Sequence, residues 1–517
     1  MMAMNNQRPR RFSTLYACIA CFISLCYTNH HVYGERPLSL SSWSHPSTNT
    51  VASTTTQQQQ QLLTVRGGGL PQLKAKINSK KKFAVKSKSK SSGGGNASVM
   101  TSIFNLANNV AGAGILTLAA GKARSGTGWV PSIAVCTLLA AVSAHTFTLI
   151  GKSCDLSGQK SFKGLWSEAF EPSTAWIVDS MVFIQCFLVS VMYTGLLGDV
   201  FSKLMPIITS SSIGSTLPDF VATRSGIILT VATFLLWPLN MIRDMSRLGF
   251  TSILGLVAVL YTVLFVLWRA LDGSYSIADP VGRLIESVPY MPSFESSSLF
   301  NMDFRTLVLV SNLSLAFISH YNGPSYWESL KDATSKRFAL VSSSSYAILA
   351  ILYGTIMAAG YATFGDACSQ GNILLNYSPD DLLATLGQFA TGFSLLFGFP
   401  LVACGSREGL KNVASAFGID SISRPDNHFW IVTILLILTT ALSLCLEDIQ
   451  LVAGLTGAVM GSALVYICPP LLYSRIVRKT HGKGSLEDKQ AQQSLILVFF
   501  GCFAAAMGAF QTLKNRG

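Results

Sequence analysis

The sequence predicts an all-α, multi-pass membrane protein, and three observations carry that prediction. Only 12% of the 517 residues are charged while 50% are hydrophobic; soluble domains average about 25% charged. From residue 99 onward the apolar residues gather into eleven segments, each near the ~20 residues that cross a bilayer. The first and the sixth segments are interrupted by residues that a continuous helix disfavours.

The segments centre on 101–121, 129–151, 175–199, 224–242, 248–270, 304–325, 338–364, 381–404, 429–446, 449–474 and 493–513. With the start of the first placed on the inner side, sixteen Lys and Arg fall on inner loops and nine on outer loops. The positive-inside rule favours this orientation. It also assigns the net charge of +13 to topology rather than to nucleic-acid binding.

Ahead of the membrane region the composition changes twice. Residues 1–34 resemble a secretory signal: Arg8, Arg10 and Arg11 precede an apolar run from Phe12 to Tyr27. Residues 35–98 are a low-complexity basic tail that has no acidic residue after Glu35. It fits either a transit peptide or a disordered cytosolic tail. Cleavage alone would leave ten Lys and Arg of this tail on the outer side, against the loops. Two routes remove the conflict. An uncut run keeps the tail on the cytosolic face of an endomembrane, vacuolar or plasma membrane. A bipartite address delivers it to a plastid envelope.

The first segment, Thr101 to Gly121, sets Asn108 and Asn109 beside Gly112 and Gly114. Each glycine disfavours helix by roughly 1 kcal/mol relative to alanine, and hydrocarbon does not solvate the amides. Two readings are open: a broken helix that offers its backbone to a small ligand, or glycines that admit a close neighbouring helix. The sixth segment ends in His320, Asn322 and the Gly323–Pro324 pair. Interruptions at the first position of two five-segment sets are the mark of an inverted-repeat transporter, with segments 1–5 and 6–10 as the repeats.

Four stretches carry a resemblance: FNLANNVAGAGIL from Phe104, FISHYNGPSYWESLKD from Phe317, GYATFGDACSQGNILLNYSPDD from Gly360, and Pro400 seven residues before Arg407. In order and spacing the chain resembles the amino acid/auxin permease family, especially its sodium-coupled neutral and vesicular branches. The resemblance covers roughly residues 98–513. It implies a LeuT-like fold of five plus five helices with an eleventh, and a 99–513 domain that moves amino acids by symport with a proton or sodium ion. It further implies that Ala111, Gly112, Ala113 and Gly114 receive the substrate carboxylate, and that Phe317, Ile318, Ser319 and His320 line the facing break. Asn108 matches an asparagine beside the cation in sodium-coupled relatives. Those relatives place a hydroxyl two or four residues before the eighth-span proline, where this chain has Gly398 and Leu396. Ser394, six before, reaches the cation position only with a shifted register, which moves the expected coupling ion toward the proton.

An enzyme is not expected. No H-E-x-x-H occurs, and the eleven cysteines show no zinc spacing. The expected partners are an amino acid and the lipid bilayer, with no nucleic acid, catalytic residue, metal or cofactor beyond the co-transported ion. The rival class is a non-transporting amino acid sensor with the same fold. Three polar groups have their own readings. Asp179 is expected to be paired or solvated at the inner end of the third span. Glu447 and Asp448 are expected to be solvated in a turn, and Asn376 forms an Asn-Tyr-Ser sequon.

Overall fold

A computed structural model describes residues 95–209, 219–242, 249–278, 281–446 and 448–515. The signal and most of the basic tail lie outside the described residues, as does Glu447. All eleven apolar segments fall on helices. α1 (Val99–Val110) starts at Ser98, whose hydroxyl accepts the Thr101 N–H. A tight turn over Ala113–Thr117 leads into α2 (Leu118–Ser125), and the two halves of this first span are bent by 53°. α3 (Trp129–Ser157) crosses next, followed by the short surface helix α4 (Phe162–Ala169), then α5 (Ala175–Thr209). α6 (Arg224–Met241) and α7 (Gly249–Leu271) complete the first set of five.

The second set repeats the pattern. α8 (Thr306–Ala316) stops after 11 residues, roughly half of a bilayer crossing at about 1.5 Å per residue, and α9 (Gly323–Ser329) follows the break. α10 (Ser335–Phe364), α11 (Leu382–Ala416), α12 (His428–Cys445) and α13 (Ile449–His481) are long enough to span. α14 (Leu486–Gln493) and α15 (Ile496–Lys514) form the eleventh span. Among the described residues, nine helices meet the length and hydropathy of a span, and the bent pair α1–α2 makes a tenth.

Small residues bring the repeats together. A side-chain carbon on Gly457 of α13 would overlap the Ser311 carbonyl of α8, and one on Gly461 would come within 3.0 Å of Ser314. This is the close approach that small residues four apart permit between membrane helices. Around these glycines α13 widens into a π-helical stretch, Gly457–Ile467. Pro400 is accommodated inside a continuous α11.

Charged groups gather at the span ends. Asp381, 1% exposed, accepts Arg269 Nη2 at 2.6 Å and Nε at 2.8 Å, as well as the Tyr275 hydroxyl at 2.8 Å. It also caps α11 through the Leu383 and Ala384 N–H groups. Burial first, and then the neighbouring Asp381 carboxylate, push the Tyr275 phenol well above its ordinary range. Asp179 is paired, with Lys163 of α4 at 2.9 Å. Asp448 departs from its expectation. Instead of facing water alone, it takes a two-pronged ion pair from Arg124 of α2 at 2.8 and 3.1 Å, because the bend of the first span carries Arg124 to the start of α13. Asn376 is fully buried, and its amide donates to the Ala367 carbonyl, so it is not placed as an accessible glycan acceptor.

Removing Asp381 strands a buried guanidinium that its other carboxylate neighbour, Asp272, satisfies only in part. Asp381→Ala is expected to cost about 3–5 kcal/mol, read as a lowered thermal unfolding midpoint of the purified protein. The double variant with Arg269→Ala should recover much of that loss. An unchanged midpoint for Asp381→Ala would refute this account.

Candidate functional site

The two interrupted spans meet at the same level, and backbone chemistry explains the site built there. Where a helix stops inside a bilayer, its last carbonyls and the next turn's first N–H groups lose their partners, and no water replaces them. α10 supplies much of what the carbonyls need. The Tyr353 hydroxyl lies 2.8 Å from the Val110 carbonyl, the end of α1, and 2.9 Å from the Ala316 carbonyl, the end of α8. Tyr346 donates to the Phe317 carbonyl at 3.1 Å. Asn109 reaches across to Ser319 Oγ at 3.0 Å, tying one break to the other.

Gly112 takes the extended backbone between α1 and the turn. A side-chain carbon there would stand 2.9 Å from the Tyr193 hydroxyl, and one on Gly114 would stand 3.1 Å from the Ala316 Cα. The glycines therefore serve both readings left open by the sequence: an unwound segment and a close neighbour. The N–H groups of Ala113 and Gly114 open the Ala113–Thr117 turn, which has no preceding carbonyl of its own to receive them.

Beside this turn lies a cavity of about 30 Å³, room for about two waters. Its wall includes Ala111, Gly112, Tyr193, Thr262, Thr391 and Ser394. Thr262 and Thr391 hydroxyls are 3.0 Å apart. Ser394 also faces Asn108. A carbon added to Gly255 of α7 would meet Ser394 Oγ at 3.2 Å and Asn108 Oδ1 at 3.9 Å, so both oxygens look onto one small space.

The expected residues of the sixth span are placed differently. Phe317, Ile318, Ser319 and His320 form the break, but none lines the cavity. Phe317 is fully buried against Tyr346 and Tyr353. His320, also fully buried, has Nε2 2.9 Å from Thr146 Oγ1 and 3.1 Å from the Ser143 carbonyl. Its Nδ1 has no hydrogen-bond partner. Tyr193, Thr262, Thr391 and Tyr353 were not singled out from the sequence. Each is a polar side chain deep inside an apolar segment, a signal diluted by the many serines and threonines that simply bond their own helix. Among the described residues no group of three His, Cys, Asp or Glu is arranged to hold a metal.

Known proteins match this arrangement. The family model described as transmembrane amino acid transporter protein covers residues 95–514. A chain from Danio rerio, provisionally named sodium-coupled neutral amino acid transporter 11, is 27% identical over 80% of this chain and 86% of its own. Vacuolar amino acid transporter 5 of Schizosaccharomyces pombe is 25% identical over 81% of this chain and 93% of its own. These relatives are named as transporters, not enzymes. The fold is that of the inward-facing Mhp1 structure, with a TM-score of 0.52, 12% identity, and coverage of 81% of this chain and 89% of the other. Mhp1 in a closed conformation scores 0.50 at 12% identity, covering 82% and 92%. The all-α, LeuT-like inverted repeat is thereby established.

Tyr353→Phe tests the junction without altering its shape. It removes the one O–H that the two carbonyls share and leaves Ala316 short of a donor, while Val110 keeps the Gly112 N–H at 2.7 Å, an expected loss of about 1–3 kcal/mol. Thermal unfolding of the purified variant should show it, and a midpoint equal to that of the parent would remove Tyr353 from this role.

Proposed function

Because the chain belongs to the transmembrane amino acid transporter family, we propose that it carries amino acids across a membrane by ion-coupled alternating access, with the proton preferred over sodium. The observation that carries this reading is the meeting of two broken spans beside a cavity walled by the unwound Ala111–Gly112 backbone. In the proposal, the substrate carboxylate binds the N–H groups of Ala113 and Gly114. Those groups lie at the positive end of the outer half-helix. The sixth-span break from Phe317 to His320 faces the substrate ammonium with its backbone once the cavity, now with room for about two waters, widens to take an amino acid. The relative from Schizosaccharomyces pombe, named as vacuolar, supports an endomembrane location.

Two features support the proton. Positions 396 and 398, where sodium-coupled relatives keep a hydroxyl, are Leu and Gly, which removes one hard oxygen ligand of the kind a small cation takes. His320 stands in the sixth-span break with Nδ1 buried and partnerless, an atom placed to accept a proton when the break rearranges. Asn108 and Ser394 remain the oxygens nearest a cation route.

Two measurements in proteoliposomes test the proposal. Gly112→Leu fills the space against Tyr193 and should abolish amino acid uptake while the protein still inserts and purifies. Normal uptake by that variant would sink the site. An inward proton gradient without sodium should drive accumulation, and His320→Gln should lose that response. Accumulation driven by sodium alone, at equal pH on both sides, would overturn the proton preference.

A further inference from the structure

Away from the two breaks, a second cavity lies between α5, α6, α11 and α12 at the inner level. Its wall includes Ser190, Asn240, Ser406, Arg407 and Thr439, and no carboxylate lines it. Arg407 lies on α11 and is only 6% exposed. Among the described residues its ion pair is long: Nε to Glu408 Oε1 at 3.5 Å, with a Glu408 side chain that is 54% exposed and also held by Lys411 at 3.1 Å. Nη2 contacts only the soft Cys404 Sγ, at 3.2 Å, and Nε makes no hydrogen bond. The Ser406 hydroxyl, 3% exposed, has no partner either. Asn240 uses its amide nitrogen on the Leu236 carbonyl, which occupies one of two N–H groups.

Such a cluster is out of balance in a low dielectric. A buried cation needs a compensating charge close by. No acid lines the cavity; the Ser190 and Thr439 hydroxyls spend their protons on the Cys186 and Leu436 carbonyls of their own helices, so the free donors there are Arg407, Ser406 and the second Asn240 N–H. We propose that Arg407, Ser406 and Asn240 form a binding site for one small monovalent inorganic anion, of halide size. The space, about 20 Å³, admits one water or one ion of similar dimensions. The anion completes the charge balance of Arg407 and fastens α11 to α5, α6 and α12. This site is separate from Gly112 and Tyr193, so it stands or falls independently of the substrate reading.

The probe is chloride against gluconate, at equal ionic strength, on the purified full-length protein. Thermal unfolding should shift upward by several degrees in chloride, with a saturable midpoint, because a ligand bound only to the folded state stabilises it by mass action. Bromide should act like chloride. Ser406→Ala should move the chloride midpoint several-fold higher in concentration, and Arg407→Gln should abolish the shift. If Arg407→Gln does not fold, the Ser406→Ala titration still decides. Equal unfolding of the parent in chloride and gluconate would overturn the site, leaving a water-filled cavity. A chloride response retained in full by Ser406→Ala, or by a folded Arg407→Gln, would overturn it as well.

Discussion

One phenolic oxygen stands between the two carbonyls at which the crossing helices stop. Inside hydrocarbon, an interrupted helix is tolerated only where protein replaces the missing hydrogen bonds; the single Tyr353 O–H lies within reach of the last carbonyls of both α1 and α8, and the Gly112 N–H also serves Val110. Tyr346, on the same helix, serves the Phe317 carbonyl. α10 is therefore the scaffold on which both interruptions rest. The open backbone that remains, at Ala113 and Gly114, is left by position rather than by accident: it belongs to the start of a turn, not to the end of a helix.

Much of the fold was legible in the sequence because bilayer thickness and helix rise fix the length of a span. The interruptions were legible because Gly112, Gly114, Gly323 and Pro324 contradict an otherwise helical pattern. The details of the site were not. His320, at the sixth-span break, is held by Thr146 and Ser143 of α3, a pairing between segments that local pattern does not encode. Ser394 lies six residues before Pro400. The helix passes through that proline unbroken, and the serine faces Asn108 across Gly255. Asp448 looked solvated because a turn usually is, and the 53° bend that brings Arg124 to it has no one-dimensional signature.

Polar groups in the interior divide into two kinds. Around Asp381 every strong donor has a matching acceptor, so Arg269 and Tyr275 act as a rivet between the end of α7 and the start of α11. Around Arg407 the donors outnumber the acceptors. The same helix carries both clusters, one near its outer start and one near its inner end. A long helix held firmly at one end and under-compensated at the other has an asymmetric capacity to shift.

At the inner surface, Ala97 donates to the Ser329 carbonyl at 3.0 Å and accepts from Lys331 N–H at 2.9 Å, while Tyr326 reaches the Asn105 carbonyl at 3.3 Å. These bonds splice the inner half of the first span to the inner half of the sixth. Splaying α1 alone would break them, whereas a swing that carries α1 and α9 as one lever leaves them intact. The splice thus joins α1 and α9 into one mechanical unit. Force delivered to the backbone just before α1 is transmitted to the sixth span through peptide groups.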